Sequence, residues 1–309
     1  MTDLVEPKQV DIVYETEEPV RYEVIDNVAW IIMNRPQFNN AQNGQMTYAL
    51  DDAFNRAVQD DAVRCIVLGG EGKNFSAGHD IGTPGRDVHK HFENRLMVPG
   101  HVNKPAAELL YTREQEQYLG MCRRWRDVPK PTVAMVQGAC IAGGLMLAWI
   151  CDLIIATDDA FFQDPVNRMG IPGVEYFAHA FELPPRVAKE FLLLGERMSA
   201  QRAEQFGMVN RIVTRESLRD ETARVAAKLA AQPRLGNWLT KQAINHVEEL
   251  RGKRTAMDAV FHMHHFAHAQ NDLVQGSAIA GFGAKEMAAA NKKDAGETPA
   301  DNKREASES

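Results

Sequence analysis

Two glycine-rich stretches, GKNFSAGHDI (72–81) and GACIAGGL (138–145), carry the clearest chemical signal in this chain. In each, an apolar strand-like run gives way to small residues and then to a helical pattern. Small side chains let backbone N–H groups approach a ligand unobstructed. An N–H at a helix start, as at Gly143, also favours negative charge. Two such groups on one oxygen make an oxyanion hole, in which losing one donor typically costs about 3–4 kcal/mol of barrier. The side chains that follow, Leu145, Met146 and Leu147, contain no acid, base or nucleophile, so any chemistry there falls to the main chain. A second cluster, HMHHFAHA (262–269), spaces His264 and His268 at i,i+4 and His262 and His265 at i,i+3. Metal ligation needs a third convergent ligand and a supporting shell. No acidic motif accompanies the cluster, so a helix–helix or subunit contact is expected and no metal.

These turns need elements to hold them. RYEVIDNVAWIIMN (21–34) carries two strand-like runs around Asp26-Asn27, a hairpin signal. MTYALDDAFNRAV (46–58) places Met46, Leu50, Phe54 and Val58 on one helical face. RCIVL (64–68), TVAMVQG (132–138) and DLIIAT (152–157) read as short buried strands. Strands and helices alternating this way predict a mixed α/β fold of repeated β-β-α turns. Beyond about residue 186 the strand signal fades, apart from VNRIV (209–213), and helical periodicity dominates. The expected organisation is an N-terminal extension (1–19), a core (20–197), a helical region (198–289) and a polar, disordered tail (290–309). Segment 82–106 is rich in Pro, Gly and His, and its length marks it as a candidate lid.

Composition narrows the function classes. The 309 residues are 44% apolar and 25% charged, with net charge −7, which fits an ordinary globular protein and argues against a nucleic-acid partner. Four cysteines, at 65, 122, 140 and 151, have no paired spacing and read as reduced thiols. The N-terminus is acidic without an apolar signal core, and the longest apolar stretch, around 145–156, is broken by Asp152 and too short for a bilayer. A cytoplasmic protein is expected.

In order, NRPQFNNA (34–41), NFSAGHDI (74–81), GACIAGG (138–144), FFQDP…MGIPG (161–173) and MSAQRAEQFGMVNRIV (198–213) resemble the blocks of the crotonase, or enoyl-CoA hydratase/isomerase, superfamily across roughly residues 20–290. The resemblance implies an α/β spiral of β-β-α repeats with a helical C-terminal trimerisation layer, assembling as a trimer or a dimer of trimers. It implies an acyl-CoA thioester as substrate, no separate cofactor, and a carbonyl oxygen held by the amides of His79 and Gly143. The implied CoA contacts are Ala41, Ala77, His79, Asp80, Ile81, Gly143 and Lys285, and His89, His91 and His101 are expected at solvent or near the CoA phosphates. The chain departs from the family at the two catalytic glutamates, whose positions here are Met146 and Val166. Neither residue can transfer a proton. Asp164, two residues before the second lost position, is the first substitute, provided the strand extends that far; otherwise it caps the turn at Pro165. Glu175 is the second, unless it is a solvated acid at a helix start, and the His79 imidazole is the third. Asn167 and Arg168 could position a polar acyl group or pair at the surface. The expected function is an acyl-CoA enzyme of hydratase type, with C–C bond hydrolysis, double-bond isomerisation or non-catalytic acyl-CoA binding as alternatives.

Overall fold

A computed structural model of the chain describes residues 18–83, 86–88, 90–279, 286–287 and 289–290. His89, Lys285, most of the N-terminal extension and nearly all of the tail lie outside the described residues.

The first two strands, β1 (Val20–Ile25) and β2 (Val28–Met33), form the expected hairpin. Asp26 and Asn27 both take positive φ, 48° and 65°, the left-handed pair that a two-residue hairpin of matching twist requires. Next come α1 (Gly44–Gln59), β3 (Cys65–Gly70), α2 (Ala106–Glu114), a π-helical turn (Gln115–Gly120) and α3 (Met121–Arg126). The glycine turn is framed by β4 (Thr132–Val136), β5 (Ala139–Ile141) and α4 (Gly143–Trp149), followed by β6 (Leu153–Thr157) and β7 (Phe161–Gln163). Then follow α5 (His179–Glu182), α6 (Pro185–Leu194), β8 (Met198–Ser199), α7 (Ala200–Gln205) and β9 (Arg211–Val213). The chain then runs through α8 (Leu218–Ala230), α9 (Arg234–Leu250) and α10 (Lys253–Gln275).

The larger sheet has the order β1-β2-β3-β4-β6-β9, parallel except for the first hairpin. A smaller sheet has the order β5-β7-β8. Two successive turns, β4-β5-α4 and β6-β7 with the helices after it, each give a strand to the larger sheet, a strand to the smaller one and then a helix, the predicted β-β-α repeat, whereas the first hairpin lies wholly in the larger sheet. Parallel strands covered on both faces need apolar residues at every position. In β2, Ala29, Ile31 and Met33 enter the main core, while Val28, Trp30 and Ile32 pack toward Leu218, Val225 and Ala226 of α8.

Two expectations change. The boundary at 197 cuts through the sheets, because β8 pairs with β7 and β9 with β6; the purely helical part begins at Leu218. The described part of segment 82–106 holds no helix or strand before Ala106, as expected of a loop, but it is fastened to α1. Asp87 accepts the Gly44 and Gln45 N–H groups at 2.7 and 2.8 Å, and Phe92 stacks on Tyr48 at 4.6 Å. Within it His91 is exposed, whereas His101 is buried away from solvent. The four cysteines are free thiols, and among the described residues no helix is long and apolar enough to cross a membrane.

Candidate active site

The two glycine turns meet. Isolated bridges join His79 to Gln42 and Ser76 to Cys140, so residues 76–79 lie between the 40–43 segment and β5. Gly78 has φ +94°, and a Cβ there would fall 2.8 Å from Ile141 O and 3.1 Å from the Gly143 nitrogen. A Cβ on Gly144 would fall 2.6 Å from Ser76 O. Backbone packs on backbone here, and only glycine permits it. Between the glycines, Ala142 is held at φ 48°, ψ −111°, a region that a residue with a Cβ adopts only when its surroundings compel it. Among the described residues, no acceptor is found for the N–H of His79 or of Gly143.

Side chains gather around this pair. The His79 ring lies against Gly143, stacks on Tyr118 at 3.7 Å, and brings Nε2 to 3.1 Å from Glu175 Oε2. Glu175 is buried, hydrogen-bonds to the Glu114 carboxyl, and has Oε1 3.8 Å from His264 Nε2. Burial pushes the Glu175 carboxyl up to about 8, with the Glu114 charge adding to the rise. Burial likewise takes His79 down to about 3, helped by Arg113, His264 and His268. Burial thus favours the uncharged forms of both groups, and the buried His79 Nδ1 has no partner among the described residues. A buried polar atom left open in this way is a place for a ligand group.

Of the residues singled out from the sequence, His79, Gly143 and Glu175 converge. Asp164 does not join them: β7 ends at Gln163, so strand alternation fails one residue too early. Its fully buried carboxylate turns instead to His179 Nε2 at 2.8 Å and accepts the Val174 N–H at 3.2 Å. Asp164 therefore braces the turn that presents Glu175. Ala41, Ala77, Asp80 and Ile81 lie on the two bridged segments, but the Asp80 carboxylate is closed on Arg35 at 2.9 Å, leaving no free side chain for CoA. Asn167 and Arg168 donate to the carbonyls of Leu193 and Leu194, capping the end of α6. Met146 and Val166 are buried in the core. Glu114 and Tyr118 were missed: they sit in YTREQEQYLG, far from any motif in the sequence, and only the fold brings them to the turns.

A substitution separates bracing from catalysis. Asp164→Asn keeps the shape but presents an amide where two donors need an oxygen. The expected loss is about 1–3 kcal/mol of stability, read as a lower denaturant midpoint, with turnover largely retained well below the melting temperature. Unchanged stability with abolished turnover would return Asp164 to the role of acid.

The chain has relatives among known proteins. The sequence profile of the enoyl-CoA hydratase/isomerase family matches residues 23–97 and 101–286. The chain is 37% identical over 273 residues to a provisionally named enoyl-CoA hydratase, EchA13, of Mycobacterium tuberculosis, covering 85% of this chain and 84% of the other. It is 33% identical over 227 residues to 1,2-epoxyphenylacetyl-CoA isomerase of Escherichia coli, covering 72% and 79%. The crystal structure of a probable enoyl-CoA hydratase from Mycobacterium smegmatis superposes with a TM-score of 0.77 at 41% identity, covering 85% of this chain and 99% of that one.

Proposed function

Because the chain belongs to the enoyl-CoA hydratase/isomerase family, we propose that it processes an acyl-CoA thioester whose carbonyl oxygen is received by the N–H groups of His79 and Gly143. The observation that carries this reading is the pair of N–H groups without an acceptor, on two touching glycine turns, with a buried carboxyl in reach of the His79 ring. Charge that develops on the thioester oxygen as the α-carbon gains enolate character is stabilised by fixed main-chain dipoles. Proton transfer at the acyl carbons falls to Glu175, which stands in for the family glutamates replaced by Met146 and Val166. Ala41, Ala77, Asp80 and Ile81 contribute main chain and apolar surface to the CoA side, and Lys285 its charge to the phosphates. Exposed apolar residues on α9 and α10, among them Leu239, Ile244, Leu250, Phe266 and Leu273, support self-association of the helical layer. No cofactor beyond the CoA thioester is called for.

The reaction favoured is reversible hydration of an enoyl-CoA. Double-bond isomerisation is the second reading, favoured by the hydrogen-bonded Glu114–Glu175 pair, which can carry a proton from one acyl carbon to another without a water-activating glutamate. One spectrophotometric assay distinguishes them. With crotonyl-CoA and longer 2-enoyl-CoAs, the conjugated-thioester absorbance is expected to fall; with 3-enoyl-CoAs, an isomerase makes it rise. No change with either series, alongside calorimetric binding of acyl-CoA, would replace both readings with that of a binding protein.

A further inference from the structure

Behind Glu175, four buried side chains converge from distant parts of the chain, Glu114 among them. Glu114 ends α2, immediately before the π-helical turn, a kind of local distortion that is frequent at functional sites. His264, His265 and His268 come from α10. Glu114 Oε2 lies 3.4 Å from His264 Nε2 and 3.4 Å from His265 Nε2. The three ligand atoms lie within 4.8 Å of one another. Two nitrogens or oxygens bound to one tetrahedral ion at bond lengths near 2.1 Å stand about 3.4 Å apart, which both Glu114 distances match.

The hydrogen-bond inventory points the same way. His264 Nδ1 is 2.7 Å from Gly173 O, and His268 Nδ1 is 2.6 Å from Ala278 O. A carbonyl only accepts, so both Nδ1 atoms carry a proton, and in its neutral form each ring presents a bare Nε2. Those two Nε2 atoms are 2.9 Å apart, and facing lone pairs at that distance repel unless a cation serves them. Glu114 Oε2 and His265 Nε2 are buried without a hydrogen-bond partner among the described residues. A proton between His264 and His268 would satisfy that pair, but an Nε2–H on His265 would reach Glu114 Oε2 only across a long 3.4 Å. One ion between Glu114 Oε2, His264 Nε2 and His265 Nε2 would serve all three, and the Gly173 carbonyl behind His264 is the outer support that metal-bound imidazoles have.

We propose that Glu114, His264 and His265 bind a divalent first-row transition ion, with His268 as the adjoining fourth donor. A mixed imidazole and carboxylate set with few ligands matches zinc best. This site does not depend on the acyl-CoA reading, and its test needs no turnover. The untagged full-length chain, stripped with a chelator and dialysed, would be titrated with cobalt(II), whose visible d–d bands report coordination. The expected result is about one cobalt per chain with tetrahedral-type bands, displaced by zinc. Affinity is expected to weaken by at least about tenfold in Glu114→Gln and in His265→Gln, each variant checked for folding by circular dichroism. X-ray absorption at the zinc edge of the wild-type protein provides a readout independent of any variant, with imidazole scattering expected. Absence of d–d bands, an oxygen-only shell at zinc, or full affinity in both folded variants would overturn the proposal.

Discussion

Glu175→Gln is expected to lower kcat on the enoyl-CoA substrate by about 10²–10⁴-fold, the usual worth of a positioned general acid or base, with little change in KM. Glutamine fills the same volume and can still hydrogen-bond toward His79, so the pocket and the thioester contacts persist while the transferable proton is lost. The effect is expected to be large because the remaining side chains near the amide pair are poor substitutes. His79 is held neutral by burial and by the nearby positive groups, Met146 and Val166 are apolar, and Asp164 is turned away onto His179. Comparing Glu175→Gln with Asp164→Asn makes the test specific: the first should lose turnover with its fold intact, the second stability with its turnover largely intact. Wild-type kcat in a folded Glu175→Gln protein would remove Glu175 from the mechanism, and a pure KM effect would recast it as a binding residue.

Local rules made much of this fold legible. The Asp26-Asn27 hairpin, the apolar face of α1, the apolar runs that became β3, β4 and β6, and the β-β-α repeat each follow from a pattern within a dozen or so residues. The glycine turns were legible for the same reason, since Gly78, Gly143 and Gly144 mark a backbone approach that any Cβ would block. Long-range side-chain partners were not. Asp164 looked like the better acid because alternation along a strand would have aimed it with position 166, yet the strand stops at Gln163 and the carboxylate turns inward. The Asp80 carboxylate reads as free to meet a ligand until Arg35 is found against it. The histidines of α10 have no third candidate ligand near them in sequence, and the carboxylate that meets them, Glu114, comes from a helix whose sequence has no motif. Sequence periodicity tells which face of a helix is buried but not which distant face meets it. The catalytic and metal-binding readings both turn on that meeting.

Gly143→Ala tests the amide pair itself. A Cβ at this position would stand 2.7 Å from His79 Cε1, 2.9 Å from Nδ1 and 3.1 Å from Nε2. The ring cannot simply yield, because Tyr118 stacks on it and Glu175 holds Nε2. Either the imidazole is pushed off Glu175 or the turn carrying the Gly143 N–H moves, and both spoil a geometry that works only when two donors meet one oxygen. The expected loss in kcat is about 10²–10³-fold, comparable to deleting one donor of an oxyanion hole. The global fold should survive: alanine is favoured over glycine in a helix by about 1 kcal/mol, which offsets part of the roughly 1–3 kcal/mol of overpacking. Steric origin can be checked by relief. His79→Ala removes the ring but keeps both main-chain N–H groups, so adding it to Gly143→Ala should recover part of the lost turnover, even though His79→Ala alone lowers it. If Gly143→Ala turned over like the wild type, a thioester oxygen held at this nitrogen would be ruled out. If the double variant were no faster than Gly143→Ala, the damage would lie in the turn and not in the crowded ring.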